Sequence, residues 1–201
     1  GSQLRVEGGE SVVVGYDGRL SSPALEAAVT EGLVQAGVRV FRVGRGPSPM
    51  CYFAAEYLGT DAALMVTGSH NPPNYNGFKM MMKNEPFFGK DIQNLGIKAK
   101  SGSNIKMNGS IEGSNLDEKY LEKILMPLAN AKNLKDKKII WDCGNGATGD
   151  IINKMVKLIP CENTVLYSEI DGNFPNHHPD PTDESTLKIL LKKMREVDAE
   201  T

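Results

Sequence analysis

Ser69, His70 and Asn71 stand together in the stretch VTGSHNPPNYNGFKM, Val66 to Met80, and Lys79 follows ten residues after the serine. A free serine hydroxyl is a poor nucleophile and needs a neighbouring base or a stabilising charge. His70 and Lys79 are groups of that kind, and a cation is also what a phosphorylated serine requires. The sequence around them is built for stiffness. Pro72 and Pro73 fix their own φ angles and turn Asn71 away from helix. Asn76-Gly77 then bends the chain back, so that Lys79 can return its ammonium toward the serine. By spacing alone, a plain turn with a solvated Ser-His-Asn fits these residues as well as a reactive serine does.

Three further stretches carry residues of chemical interest. GNGATG, Gly144 to Gly149, fits G-x-G-x-x-G after a strand, with Glu169 lying 20 residues after Gly149. That is the dinucleotide fingerprint, but the same glycines serve a tight strand-to-helix turn with close packing. NHHPDP offers His177, His178, Asp180 and Asp183 as possible metal ligands. Adjacent histidines followed by proline match no common zinc spacing, so a hydrogen-bonded connector is the preferred reading. In YDGR, Arg19 can hold a phosphate bidentately. It can equally pair with Asp17 or a neighbouring backbone carbonyl.

The elements that must position these residues alternate between two periods. Ser11 to Gly15 is a β-branched run of the buried-strand type. Ser22-Pro23 then open a helix with Leu25, Ala28, Val29, Leu33 and Ala36 at helical spacing, ended by Gly37. Val38 to Val43 is a second strand, Pro49 to Leu58 a shorter helix, and Ala62 to Val66 a third strand that runs into the serine loop. Beyond Lys79 the pattern loosens into a weak helix, GKDIQNLGIKAK, and a Gly/Ser/Asn-rich loop, Ser101 to Ser114. Asp117 to Ala129 is amphipathic, with Tyr120, Leu121, Ile124, Leu125 and Leu128 on one side. Ile139 to Trp141 starts a second strand-turn-helix unit, followed by the strand TVLYSE and a helix from Glu184 to Arg195. The expected class is α/β, with mostly parallel sheets and helices on both faces. The expected divisions are a complete domain over 1–115, a bridging helix and linker over 116–133, and a partial second domain of the same kind over 134–201.

Composition bounds the partners. Of 201 residues, 40% are hydrophobic and 24% charged, values ordinary for a globular protein, and the net charge of −2 offers no basic face for nucleic acid. No apolar run is long enough to span a bilayer, and no signal peptide opens the chain. Cys51, Cys143 and Cys161 are odd in number without metal or CxxC spacing, so they read as reduced, buried thiols of a cytoplasmic protein. Before Lys79 every Lys/Arg position is arginine; after it Arg195 is the only arginine among lysines. The shift fits a hybrid of two coding histories or local chance.

TGSHNPPNYNGFK resembles the phosphoserine loop of the α-D-phosphohexomutases, in the phosphomannomutase/phosphoglucomutase branch. VVVGYDGRLSSPAL resembles the first-domain strand and helix of that family, and DCGNGATG the start of its second domain. DGNFPNHHPDP resembles a second-domain segment, so the similarity covers nearly the whole chain. The resemblance implies interconversion of hexose 1-phosphate and hexose 6-phosphate through a phosphoserine and a 1,6-bisphosphate intermediate. Ser69 would carry the phosphoryl group, with His70 and Lys79 stabilising charge or moving protons. Arg19, Asn71 and Asn76 would contact substrate or phosphate. Mg²⁺ would bind through the phosphate on Ser69, and glucose 1,6-bisphosphate would be the activator.

The family's D-G-D-x-D-R metal loop does not occur in these residues, nor do its sugar-recognition loop and C-terminal phosphate-binding domain. The chain therefore reads as an N-terminal fragment, itself inactive and without bound Mg²⁺. Hexose phosphates are its expected ligands, neither nucleic acid nor membrane is a partner, and self-association through the shortened second domain is expected. A dinucleotide-binding domain using Gly144 to Gly149, or a non-catalytic hybrid scaffold, are the other readings.

Overall fold

The computed structural model describes residues 1–102, 107–130 and 134–199. Part of the expected Ser101 to Ser114 loop and the end of the 116–133 linker lie outside them. The contacts divide the chain into two compact units. One is Gly1–Asp17, Ser21–Thr67 and Gly77–Leu116; the other is Gly18–Leu20, Gly68–Asn76 and Asp117–Thr201.

The first unit runs α1 (Ser2–Val6), β1 (Ser11–Tyr16), α2 (Ser22–Gln35), β2 (Arg39–Arg45), α3 (Ser48–Leu58), β3 (Ala62–Val66), β4 (Phe78–Met82), β5 (Glu85–Phe87), α4 (Lys90–Ser101) and β6 (Ser110–Gly113). Its sheet has the order β5-β4-β3-β1-β2-β6. β1 pairs in parallel with β2 and β3, and β2 in parallel with β6. Along β1 the side chains alternate between two cores. Val12 and Val14 join Leu33, Val40 and Leu64 on one face. Val13 meets Phe41, Cys51, Ala54 and Met65 on the other. This period-2 division explains why β1 and β3 read as continuous apolar runs: both faces are covered by helices.

Two features of this sheet depart from the sequence reading. β4 and β5 form an antiparallel hairpin, with Lys79 opposite Met65. Its two-residue turn places Lys83 at φ +52° and Asn84 at φ +63°, the left-handed geometry tight hairpins demand. Lys-Asn is a weaker signal for that turn than Asn-Gly, and FKMMM does not alternate, so these residues carried no strand expectation. β6 lies within the expected Ser101 to Ser114 loop, joined to β2 by backbone pairing and by a two-pronged Arg39–Glu112 ion pair at 2.7 and 3.1 Å.

The buried face of α2 is also partly polar. Ser22, Glu26, Thr30 and Leu33 are buried, whereas Ala28 faces solvent. Glu26 is 1% exposed and takes Arg42 of β2 on both carboxylate oxygens, at 2.7 and 2.5 Å. Ser22, expected as the helix cap, instead donates its hydroxyl to Asp17 at 2.5 Å, and the helix starts one residue after Ser21.

In the second unit α5 (Asp117–Leu125) buries Tyr120 and Leu121 and continues as a 3-10 turn to Asn130. Then come β7 (Lys138–Asp142), α6 (Gly149–Met155), β8 (Glu162–Leu166) and α7 (Lys188–Val197), with β7 and β8 parallel. β8 ends earlier than the run TVLYSE suggested, because Tyr167 adopts φ +51° and leaves the strand. The last helix opens as a 3-10 turn, Glu184–Leu187, where the Asp183 side chain accepts from the Ser185 amide.

Candidate functional site

All five residues of β3 are buried, so the strand is a fixed base for whatever leaves its C-terminal end. Thr67 donates its amide to the Gly77 carbonyl at 3.0 Å and closes the neck of the loop. Within Gly68–Asn76 two turns follow each other: the Asn71 amide donates to the Gly68 carbonyl and the Tyr75 amide to Pro72, each at 3.0 Å. Ser69, between them, is exposed and sits at φ +52°. A non-glycine residue in that left-handed region costs about 1–2 kcal/mol, so something must hold it there.

Arg19 does so. Its side chain is 2% exposed. Nη1 donates to the carbonyls of Pro72 (2.5 Å) and Tyr75 (3.0 Å), and Nη2 to those of Ser69 (2.8 Å) and Asn71 (2.7 Å). The guanidinium carbon lies 5.2 Å from the centre of the Phe174 ring, a cation–π stack. Of the pairings open to Arg19 in the sequence, these contacts are the backbone-carbonyl one. Gly68 follows from the same clamp: a Cβ there would lie 2.5 Å from the Arg19 guanidinium carbon and 2.6 Å from the Tyr75 carbonyl oxygen. The glycine is needed for close approach.

The other candidates divide by place. His70 and Asn71 are exposed neighbours of Ser69, and Asn76 is half-buried at the end of the loop. Lys79 is exposed on β4. His70 Nδ1 lies 3.8 Å from Asp180 Oδ1. Phe174 and Asp180 as loop contacts were not found by sequence reasoning. Both are about a hundred residues from the serine, and no spacing rule joins them; Asp180 drew notice only as a possible metal ligand.

GNGATG forms the turn into α6. Gly144 and Asn145 adopt φ +50° and +56°. A Cβ on Gly149 would lie 1.9 Å from the Ser168 carbonyl oxygen, and one on Gly144 would lie 3.0 Å from His177. The space these glycines leave is thus filled by the chain itself. Asn145, 4% exposed, donates to the Glu169 carbonyl and accepts from Asn176, which ties the turn to the following segment.

In NHHPDP, His177 Nε2 meets both oxygens of Asp142 at 3.0 and 3.1 Å, and its Nδ1 meets the His178 carbonyl at 2.9 Å. Burial opposes charging of this ring, but the His178 carbonyl and the hydrogen bond and charge of Asp142 outweigh it, and its pKa is raised. Asp180 and Asp183 accept from the Thr182 and Ser185 amides. Among the described residues no group of three or more His, Cys, Asp or Glu could hold a metal ion. Mg²⁺ takes carboxylate, phosphate and water oxygens, and a phosphate on Ser69 would supply only part of that set. Cys51 and Cys143 are buried as expected, and burial pushes their thiols up to about 12 and about 11; Cys161, expected to be buried too, is half-buried.

A mostly parallel open sheet whose buried third strand runs into a clamped serine loop, followed by a second βαβ unit, defines an α/β protein with that loop at a strand's C-terminal end, where open sheets of this class bind ligands. Comparison with known proteins narrows this. Residues 1–106 match phosphoglucomutase/phosphomannomutase alpha/beta/alpha domain I, and residues 118–201 match domain II. The phosphomannomutase/phosphoglucomutase of Pseudomonas aeruginosa PAO1 is 40% identical over 200 residues, covering 100% of this chain and 42% of that protein. A phosphoglucomutase of Neisseria gonorrhoeae is 39% identical over 191 residues, covering 94% of this chain and 41% of that one. The crystal structure of a phosphoglucomutase/phosphomannomutase family protein from Burkholderia thailandensis superposes with a TM-score of 0.91 at 40% identity, over 99% of this chain and 44% of the other. The chain belongs to the phosphoglucomutase/phosphomannomutase family, with its domains I and II. It spans about 42% of the length of the Pseudomonas relative, and one family accounts for residues on both sides of Lys79. No helix among the described residues is long and apolar enough to cross a membrane.

Proposed function

We propose that Ser69 is the phosphoryl carrier of a phosphomannomutase/phosphoglucomutase and that this chain contributes its phosphoserine loop. In the first half-reaction the bond from phosphorus to Ser69 Oγ breaks as a bond forms to a free hydroxyl of a hexose monophosphate. That hydroxyl gives up its proton, the departing Ser69 Oγ takes one up, and a hexose 1,6-bisphosphate results. After the intermediate turns, its other phosphoryl group returns to Ser69 Oγ and the sugar oxygen takes up a proton. Most of the rate in such a transfer comes from positioning and charge neutralisation. His70 and Lys79 supply the second, with Asn71 and Asn76 as contacts to the phosphate or sugar. Arg19 supplies the first, by fixing the loop.

The observation that carries this reading is the backbone at Ser69. An exposed serine held at φ +52° by a buried arginine on four loop carbonyls is an arrangement that a solvated turn does not need. The 201 residues alone are expected to show no turnover: a cation that would neutralise the transferring group needs ligands to hold it, and no group of three or more His, Cys, Asp or Glu among the described residues could do so. Hexose phosphates in the cytoplasm are the proposed ligands, with no role for nucleic acid or membrane.

Two measurements on the complete encoded protein test the proposal. Tandem mass spectrometry after incubation with glucose 1,6-bisphosphate should find one phosphoryl group on Ser69, absent in Ser69→Ala. A coupled assay with glucose 1-phosphate, Mg²⁺ and a trace of the bisphosphate should show turnover that the same substitution removes. Full turnover by Ser69→Ala would end the carrier reading.

A further inference from the structure

We propose that Asp180 is a positioning residue for the phosphoryl transfer, acting on His70, a role that rests on Ser69 being the carrier. The segment that holds Asp180 has no place in the mechanism so far, yet its contacts converge on the serine loop. Phe174 stacks under Arg19, the clamp of that loop. A Cβ on Gly172 would lie 2.7 Å from the Leu20 amide nitrogen and 2.8 Å from the Gly18 carbonyl oxygen, so its backbone lies against both neighbours of Arg19. Six residues after Phe174, the Asp180 carboxylate reaches His70.

Asp180 is itself held from several sides. Its Oδ1 accepts from the Thr182 amide at 3.0 Å and from the Thr182 hydroxyl at 2.7 Å. Its amide donates to the His178 carbonyl at 2.8 Å. Its own carbonyl accepts at 2.8 Å from the hydroxyl of Thr186, a threonine only 6% exposed. The Thr182 bonds, its hydroxyl first, also keep the carboxyl below its ordinary range, so the group is an anion throughout the working pH range. His70 is the opposite case. Its side chain is 55% exposed, and an exposed imidazole samples several rotamers. A fixed anion 3.8 Å from Nδ1 selects one orientation, with Nδ1 toward Asp180 and Nε2 left to face a reacting oxygen. That separation is longer than a hydrogen bond; such contacts tighten when substrate closes a site. The arrangement is that of a proton-moving side chain oriented by a third group, here beside the carrier serine.

The test is a double-mutant cycle on the complete encoded protein, reading the rate at which glucose 1,6-bisphosphate labels Ser69 in quenched-flow mass spectrometry. Asp180→Asn is the informative change, because its amide oxygen still accepts from Thr182 while the charge is gone. With His70 in place this variant should label about 10–100-fold more slowly, the lower part of what proton transfer contributes. In a His70→Asn background the same change should matter less than about twofold. Equal slowing in both backgrounds would show a structural role only, and no slowing would remove Asp180 from the mechanism. Nitrogen-detected NMR gives a second readout independent of turnover: Asp180→Asn should shift the His70 ring resonances, and unmoved resonances overturn the contact. A wild-type protein that takes no label on Ser69 overturns the carrier reading and this role together. A labelled wild type with an indifferent Asp180→Asn overturns this role alone.

Discussion

Arg19→Lys keeps a positive charge at the clamp and removes its shape. The guanidinium serves Pro72 and Tyr75 from one nitrogen and Ser69 and Asn71 from the other. A lysine ammonium gathers its donors on a single atom and can keep one of these pairs at most. The other pair then loses two charge-assisted bonds, each worth about 1.5–3 kcal/mol when measured by removal. The loop residues are largely exposed, so water takes back part of that loss, which leaves a net cost of about 2–3 kcal/mol. All four carbonyls belong to the loop, so the cost is expected to fall there. Hydrogen exchange at the Asn71 and Tyr75 amides, each bonded across a loop turn, reads it directly. At about 1.4 kcal/mol per tenfold, both amides should exchange some 30–100-fold faster in Arg19→Lys. Amides of β3 should keep their protection. Unchanged exchange at Asn71 and Tyr75 would refute the clamp, and an equal loss across β3 would show that Arg19 supports the sheet instead.

Arg42→Met strands the buried Glu26 carboxylate and should cost about 2–3 kcal/mol in chemical denaturation, below the fully buried range because Arg42 is half exposed; a Glu26→Met/Arg42→Met pair should recover most of it. His177 has a raised pKa, so the stability it contributes is whole below about pH 6.5 and is lost as pH rises through its folded value. Denaturation followed by Trp141, the only tryptophan, should show this decline, and His177→Gln should flatten it. Gly149→Ala drives a methyl into the Ser168 carbonyl and should destabilise the second unit by about 1–3 kcal/mol. NAD should give no saturable heat in calorimetry; binding that Gly146→Val abolishes would restore the dinucleotide reading. Among the described residues the second sheet has two strands, and α7 exposes Ile189 and Leu191. Light scattering should therefore show mass rising with concentration, and a constant monomer mass would contradict this.

What the sequence disclosed follows the range of the interactions involved. The β1-α2-β2-α3-β3 succession was legible because each element announces itself within a dozen residues. Val12 to Val14 alternate between two covered faces, Pro49 opens α3, and Gly59 closes it in the left-handed region. The β4-β5 hairpin was hidden because Lys83 and Asn84 take positive φ without the glycine that normally signals it. The face of α2 was misjudged at Ala28, and the burial of Glu26 went unforeseen, for another reason. Hydrophobic period assigns a glutamate to solvent, and only the fold supplies Arg42 from the neighbouring strand to let it be buried.

The same distinction separates what was readable in the serine loop from what was not. Its rigidity was visible, since Pro72 and Pro73 act through their own backbone angles, although the turn expected at Asn76-Gly77 lies earlier, closed by the Tyr75 amide on the Pro72 carbonyl. Its geometry was not, because Ser69 is held by a side chain fifty positions away whose four bonds to the loop go to carbonyl oxygens. Every residue type offers that oxygen, so no pattern of side chains in the loop records what grips it. Gly68 is the exception: its missing Cβ is the space the Arg19 guanidinium occupies. A glycine before the serine is therefore the local trace of a distant arginine. Gly68→Ala should disorder the loop much as Arg19→Lys does, with the same faster exchange at Asn71 and Tyr75. If the alanine left both amides protected while Arg19→Lys did not, the close packing of backbone on guanidinium would not be what fixes the loop.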